Sequence, residues 1–224
     1  INDCALTGSA SLCGLIHRGP SGSLWLQPAN FVTATDLNIG TVSTKGIDLA
    51  FHYKLDAGVV GKFNFTLSDT YTKDFLTQPI PGGGTFDCAG YWGSTCGAPL
   101  PKIRQVFTAN WGLPVPGLDL TVKWRLIGPS KVDSESHDPQ LSGLFYASTA
   151  QIPGYNYIDM SANYAVTSWI DVRVGVNNIA DKNPPLILNG TLSNCPNTTC
   201  NDNTWTGTYD TLGRYLYAHV SVKF

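Results

Sequence analysis

The six cysteines are the residues whose type and spacing come closest to a defined chemistry in this chain. They fall into three local pairs: Cys4 with Cys13, Cys88 with Cys96, and Cys195 with Cys200. Each pair sits in a stretch rich in Gly, Ser, Asn or Pro, where a backbone turns. A structural zinc site needs four ligands, commonly supplied as CxxC spacings and histidines. None of the pairs has CxxC spacing. Disulfides closing short loops in an oxidising compartment do fit the pattern, so the pairs read as loop staples.

No catalytic set accompanies them. Ser134-Glu135-Ser136-His137-Asp138 has the composition of a triad, but consecutive residues cannot supply the geometry of nucleophile, base and orienting acid. The four histidines, His17, His52, His137 and His219, are scattered. The reading is therefore not an enzyme, with no cofactor and no metal. With 14 Lys and Arg against 16 Asp and Glu, and no basic cluster, nucleic acid is excluded as a partner.

Composition then limits the elements that must carry any function. Charged residues reach only 13%, about half the quarter usual in a soluble domain. Aromatics at 11%, with 23 Gly and 14 Pro, point to an all-β chain with many turns. No apolar run reaches the ~18 residues of a membrane-crossing helix. The start, Ile1-Asn2-Asp3-Cys4, has no Met and no basic-apolar signal segment. It predicts a processed product or part of something longer.

The strands show themselves by alternation, because successive strand side chains point to opposite faces. In the terminal segment 214–224, Leu216, Ala218, Val220 and Val222 are apolar. Tyr215, Tyr217, His219, Ser221 and Lys223 between them are polar or amphipathic. The same pattern recurs over 46–55, 61–71, 103–113, 118–126, 158–166 and 170–177, making seven strands in all. On one side lie residues such as Phe51, Phe65, Phe107, Trp124, Met160 and Val174. On the other lie Asp48, His52, Lys54, Asp119, Lys123, Arg125, Asp171 and Arg173, read as cross-strand pairs wetting an inner wall.

Connections alternate as well. Short ones lie near 56–60, 113–117 and 167–168, and long ones span roughly 74–101, 130–154 and 180–212. Strands of about ten residues joined alternately by tight turns and long loops are the pattern of an antiparallel transmembrane β-barrel wall. Short turns would be periplasmic and long loops extracellular, which puts all three cysteine pairs outside. Residues 22–36 are read as an eighth strand or a hairpin above the membrane, although Pro28 is awkward inside a paired strand. Seven or eight strands suggest an incomplete wall. Two alternatives stand beside it: a small self-contained barrel acting as an adhesin or structural protein, and a soluble β-sandwich binding module with Trp124 and Phe65 buried between sheets.

Several motifs add a resemblance. Thr44-Lys-Gly46-Ile-Asp-Leu49 with Tyr53 resembles the "GxDL…Y" strand of TonB-dependent outer-membrane receptors. Asp87-Cys-Ala-Gly-Tyr-Trp-Gly-Ser-Thr-Cys96 with Pro99 and Pro101 is similar to a stapled loop of that family. Trp124-Arg125 with Gly128, Val174-Gly-Val-Asn-Asn178 through Pro185, Tyr209-Asp-Thr-Leu-Gly-Arg214 and Phe224 resemble its near-terminal strands, in the expected order. The resemblance implies a barrel of about 22 strands with a plug in its lumen, importing a scarce nutrient with energy relayed through TonB. It implies that residues 1–224 are the C-terminal part of the barrel domain, without the plug. The implied partners are outer-membrane lipid, the remaining strands and plug, TonB through that plug, the barrel-assembly machinery and a small-molecule substrate. Phe224 would belong to the signal read by the assembly machinery. Tyr91, Trp92, Phe145, Tyr146 and Trp205, in outer loops, are candidates to stack on a sugar or chelate; loop packing is the other reading.

Overall fold

The alternating segments pair as antiparallel neighbours in the computed structural model, which describes residues 1–25, 28–34, 40–187 and 204–224. Two short helices come first, α1 (Asn2–Thr7) and α2 (Ala10–Cys13). Strands follow as β1 (Ile16–His17), β2 (Phe31–Val32), β3 (Thr41–Asp56), β4 (Lys62–Gln78), β5 (Phe86–Asp87) and β6 (Tyr91–Trp92). Next come β7 (Ile103–Gly112), β8 (Leu118–Ile127), β9 (Ser130–Val132) and β10 (Gln151–Ile152). The last are β11 (Tyr155–Ala165), β12 (Ile170–Asn177) and β13 (Tyr215–Val222). The main sheet runs β13-β12-β11-β8-β7-β4-β3, with β5 added beside β4. Its seven long strands are the seven read from alternation, and they form a simple up-and-down meander.

Register follows the apolar pattern, since a one-residue slip would exchange the faces. Val122 lies opposite Ala109 on one side and Met160 on the other; Met160 opposes Val176, and Val176 opposes Leu216. These share one apolar face. Thr121 opposes Asn110 and Ser161 on the polar face, and Asn110 Nδ2 donates to Thr121 Oγ1 at 2.9 Å. Rings reinforce the apolar side: Phe63 stacks with Trp111 at 5.6 Å, and Phe65 with Phe107 at 6.2 Å.

The apolar band has marked edges. On the long-loop side, Asp69, Gln105 and Asn156 sit in neighbouring register positions on the apolar face. There Trp124 Nε1 donates to Asn156 Oδ1 at 2.8 Å. On the short-turn side, Trp111 Nε1 donates to the Val60 carbonyl at 2.9 Å. Indole rings with an apolar body and a paired N–H suit a boundary between hydrocarbon and water.

Turn chemistry explains the short end. Asp56 Oδ1 accepts from the Gly58 amide at 3.0 Å, and Thr167 Oγ1 accepts from the Ile170 amide at 3.0 Å. Gly117, at φ 78°, takes a backbone conformation that side chains resist.

The structure departs from the sequence reading in four places. Strands β3 and β4 are longer than expected, 16 and 17 residues, because backbone pairing continues past the apolar band. The described part of residues 22–36 supplies no eighth crossing strand: its paired segment is β2, which binds β1 through Ile16–Val32 and His17–Phe31. Two residues are far short of the ~9–11 that cross a bilayer. Leu26, Gln27 and residues 35–39 lie outside the described residues. The pairing of residues 22–36 with the terminal strand that a self-contained barrel needs is not found among the described residues, where β13 has β12 as its only neighbour in the sheet. The β-sandwich fails. Phe65 and Trp124 are half-exposed on a wall whose apolar face leaves Ile47, Leu49, Phe51, Leu216 and Val220 exposed.

Two compact units are defined. Ile1–Ser43 with Leu76–Asp87 form one, and Thr44–Phe75 with Cys88–Phe224 form the other. The first contains the helices, joined by the Cys4–Cys13 disulfide. It also holds the β1–β2 ladder, where the His17 and Phe31 rings stack at 4.2 Å. The helices were not legible from alternation; Gly8 at φ 63° ends the first of them.

Candidate functional site

In the second unit, the polar face and the long-loop end of the sheet meet at Arg125. Strand alternation puts Arg125 on that face, and β8–β11 pairing sets Lys123 opposite Asp159, one step along. Its Nε donates to Asp159 Oδ2 at 2.8 Å and its Nη2 to Asp159 Oδ1 at 3.0 Å. The same guanidinium reaches Asp210 in the last long loop, Nη2–Oδ2 2.6 Å and Nη1–Oδ1 3.1 Å. Its carbon lies 4.9 Å from the centre of the Tyr157 ring. One planar fork thus satisfies two carboxylates at once, which a lysine could not do.

The surrounding bonds extend this clasp. Asp159 Oδ1 also accepts from the Asn178 amide at 2.9 Å, and the Asp210 amide donates to the Tyr157 hydroxyl at 3.3 Å. Asn178, fully buried and at φ 51°, brackets Lys182: its Nδ2 donates to the Lys182 carbonyl, and its Oδ1 accepts from the Lys182 amide, each at 2.9 Å. A polar cleft of about 420 Å³ opens beside the clasp, lined among others by Lys123, Asn177, Thr211 and Tyr215. Of its charged lining residues, Lys123 is exposed and Asp159 is buried.

Above the wall lies a core built from the loops. Trp92, Val132, Ala150, Ile152, Ile187, Trp205 and Tyr209 pack together, with Ile127 and Tyr155 partly buried against them. A single sheet has nothing to bury its faces against, so this small apolar core forms where loops can fold over one another. Burial pushes the Tyr209 hydroxyl up from its ordinary range. The Lys182 ammonium sits over the Tyr155 ring at 4.4 Å.

Asp133 secures the stapled loop. Its buried carboxylate accepts from the Thr95 and Cys96 amides at 2.8 and 3.0 Å, beside the Cys88–Cys96 disulfide. Gly93 is required here, because a Cβ would collide with the Asp133 carboxylate.

The residues singled out from sequence fall into distinct places. Trp92 and Trp205 are buried in the loop core. Tyr91 is half-buried, and Phe145 and Tyr146 are exposed. Cys195 and Cys200 lie outside the described residues. Asp48 accepts from Thr70 Oγ1 at 2.7 Å, and Asp171 pairs with Lys223 at 3.1 Å across an exposed edge. Asp133, Asp159, Asn178 and Asp210 were missed as a group, because their partners are distant in sequence. Among the described residues there is no cluster of three His, Cys, Asp or Glu that could hold a metal ion.

A family model described as TonB dependent receptor-like, beta-barrel, matches residues 14–179. The chain belongs to this receptor family. Its members are outer-membrane barrels that act as transporters rather than enzymes. No curated protein sequence matches this receptor chain. Among solved structures, it is similar to a variant of the ferric enterobactin receptor PfeA from Pseudomonas aeruginosa, at 14% identity and TM-score 0.49, over 81% of this chain and 22% of that one. It is also similar to the siderophore receptor PiuA from Acinetobacter baumannii, at 17% identity and TM-score 0.46, over 84% of this chain and 22% of that one. The receptor chain therefore spans under a quarter of the length of these structures.

Proposed function

We propose that these residues form the C-terminal section of the barrel wall of an outer-membrane receptor that imports a scarce nutrient with energy relayed through TonB. The nutrient would be a ferric siderophore, cobalamin or an oligosaccharide. The observation that carries the reading is the two-faced meander. A continuous apolar face, closed at both ends by indoles, backs onto a polar face bearing Lys123, Arg125, Asp159 and Arg173. Such a wall is stable only with lipid on one side and water or a plug on the other.

The remaining strands would complete the ladder at β3 and β13, the two ends of the long sheet. Plug and TonB contact would come from parts of the receptor outside these residues. The short turns would then be periplasmic, the stapled loops extracellular, and Phe224, exposed at the end of the terminal strand, available to the assembly machinery. Uptake of labelled substrates into cells carrying the intact receptor, with and without TonB, tests this reading. Uptake that needs both supports import; TonB-independent adhesion without uptake would favour a structural role.

A further inference from the structure

Just beyond the apolar band, a cleft of about 600 Å³ opens between the stapled loop and the long-loop ends of β7, β8 and β11. Its lining includes Tyr91, Lys102, Ile103, Pro129, Lys131 and Gln151. Register shows which way it faces. Lys131 lies opposite both Tyr91 and Gln151, so these three share one side of the small β6–β9–β10 sheet. The other side carries Trp92, Val132 and Ile152, which pack into the loop core with Ile127 and Tyr155. Ile127 and Tyr155 share the polar-face parity of Arg125 and Tyr157. The cleft is therefore turned away from the polar face. Ile103, opposite Tyr71 and in step with Gln105 and Phe107, belongs to the apolar face of the wall.

We infer that this cleft seats an anionic lipid of the outer leaflet, with Lys102 and Lys131 holding a head-group phosphate and the prolines, Ile103 and Tyr91 receiving apolar chain. This lipid site rests on the membrane wall proposed above. The cleft adjoins the row Asp69, Gln105 and Asn156 that ends the apolar band, the depth at which head groups lie. Its charge is the complement of a phosphate. Lys102 is exposed, its stem packs along Gly90, and it makes no ion pair among the described residues. Lys131 is exposed and pairs with Glu135 at 3.0 Å, an exposed contact of low strength that a phosphate can share. A lining that combines two lysines with Ile103, Tyr91 and prolines, next to the end of the apolar band, selects an amphiphile over a free ion.

The intact receptor, extracted in detergent, is titrated with diphosphoryl lipid A and read by native mass spectrometry, with phosphatidylcholine and inorganic phosphate as comparison ligands. The expected result is retained lipid A, weakened about 5-fold in K102Q and more in K102Q/K131Q. K102Q leaves the Lys131–Glu135 pair in place, so its loss is not one of folding. Equal lipid A binding by both variants, or displacement by inorganic phosphate, overturns the proposal. A photoreactive side chain placed at Gln151 or at Val122 in native outer membranes separates the two readings. Lipid cross-links at both positions support the cleft; at Val122 alone they refute the cleft but keep the membrane wall. At neither position, both readings fall.

Discussion

Arg125 and Asp210 stand 85 residues apart in sequence and meet through two hydrogen bonds, the shorter 2.6 Å. That contact ties the last long loop to the inner side of the wall, using a side chain that strand alternation had already aimed there. Substituting Asp210 by Ala leaves the guanidinium with Asp159, so the cost should be about 1–2 kcal/mol. Substituting Arg125 by Met leaves two carboxylates without a cation and should cost about 3 kcal/mol. Hydrogen exchange of the amides in 204–213 reads the difference: both variants should exchange faster there, Arg125→Met more so, while the β11–β12 amides stay protected. Unchanged exchange in that loop would show that the clasp does not hold it.

Tyr209 makes the same loop sensitive to alkali. Desolvation raises its folded-state pKa above the unfolded value. The buried neutral phenol therefore contributes stability in full below the unfolded pKa, and this contribution is lost as pH rises through the folded one. The loop core should loosen only above about pH 10. Among the described residues its hydroxyl has no hydrogen-bond partner, so Tyr209→Phe should keep the core and remove the alkaline step. Trp fluorescence during a pH titration, reporting Trp92 and Trp205, follows it; an identical step in the Phe variant would reject the assignment.

Gly93 and Asp133 make a third, local prediction. Gly93→Ala should push the carboxylate off the Thr95 and Cys96 amides and destabilise the stapled turn by about 2 kcal/mol. The Cys88–Cys96 disulfide should then be reduced faster by a fixed concentration of dithiol, and Asp133→Ala should do the same. Reduction at the wild-type rate in both variants would separate the turn from its carboxylate.

Adjacent residues on β8 test the assignment of faces. Val122→Arg places a cation near the middle of the apolar band and should cost about 2–4 kcal/mol in a bilayer. Thr121→Arg, on the polar face, loses one hydrogen bond from Asn110 and should cost about 1 kcal/mol. The urea midpoint of the intact receptor in vesicles distinguishes them. Equal losses would contradict the two-faced wall.

The strands were legible because each has one face against hydrocarbon and one against water, and that contrast writes a period of two into the residues. Tyr215–Val222 shows it most cleanly, which is why β13 agrees with expectation nearly residue for residue. The pattern weakens where that contrast ends. Thr72–Gln78 continues β4 without alternation, and the chain alone gave no reason to extend the strand so far. The short helices at Asn2–Thr7 and Ala10–Cys13 likewise carry no apolar stripe, because neither buries a residue.

By itself, then, the chain determined the number of long strands, their faces, and which connections are short, since these depend on local order and on the two solvents a wall must meet. Only the tertiary structure decided what the loops do. Trp92 and Trp205 look like exposed binding aromatics until distant loops fold together and bury them. Arg125 looks like any wall cation until Asp159 and Asp210 converge on it. Burial and charge pairing between residues tens of positions apart depend on three-dimensional closeness, which no spacing along the chain records.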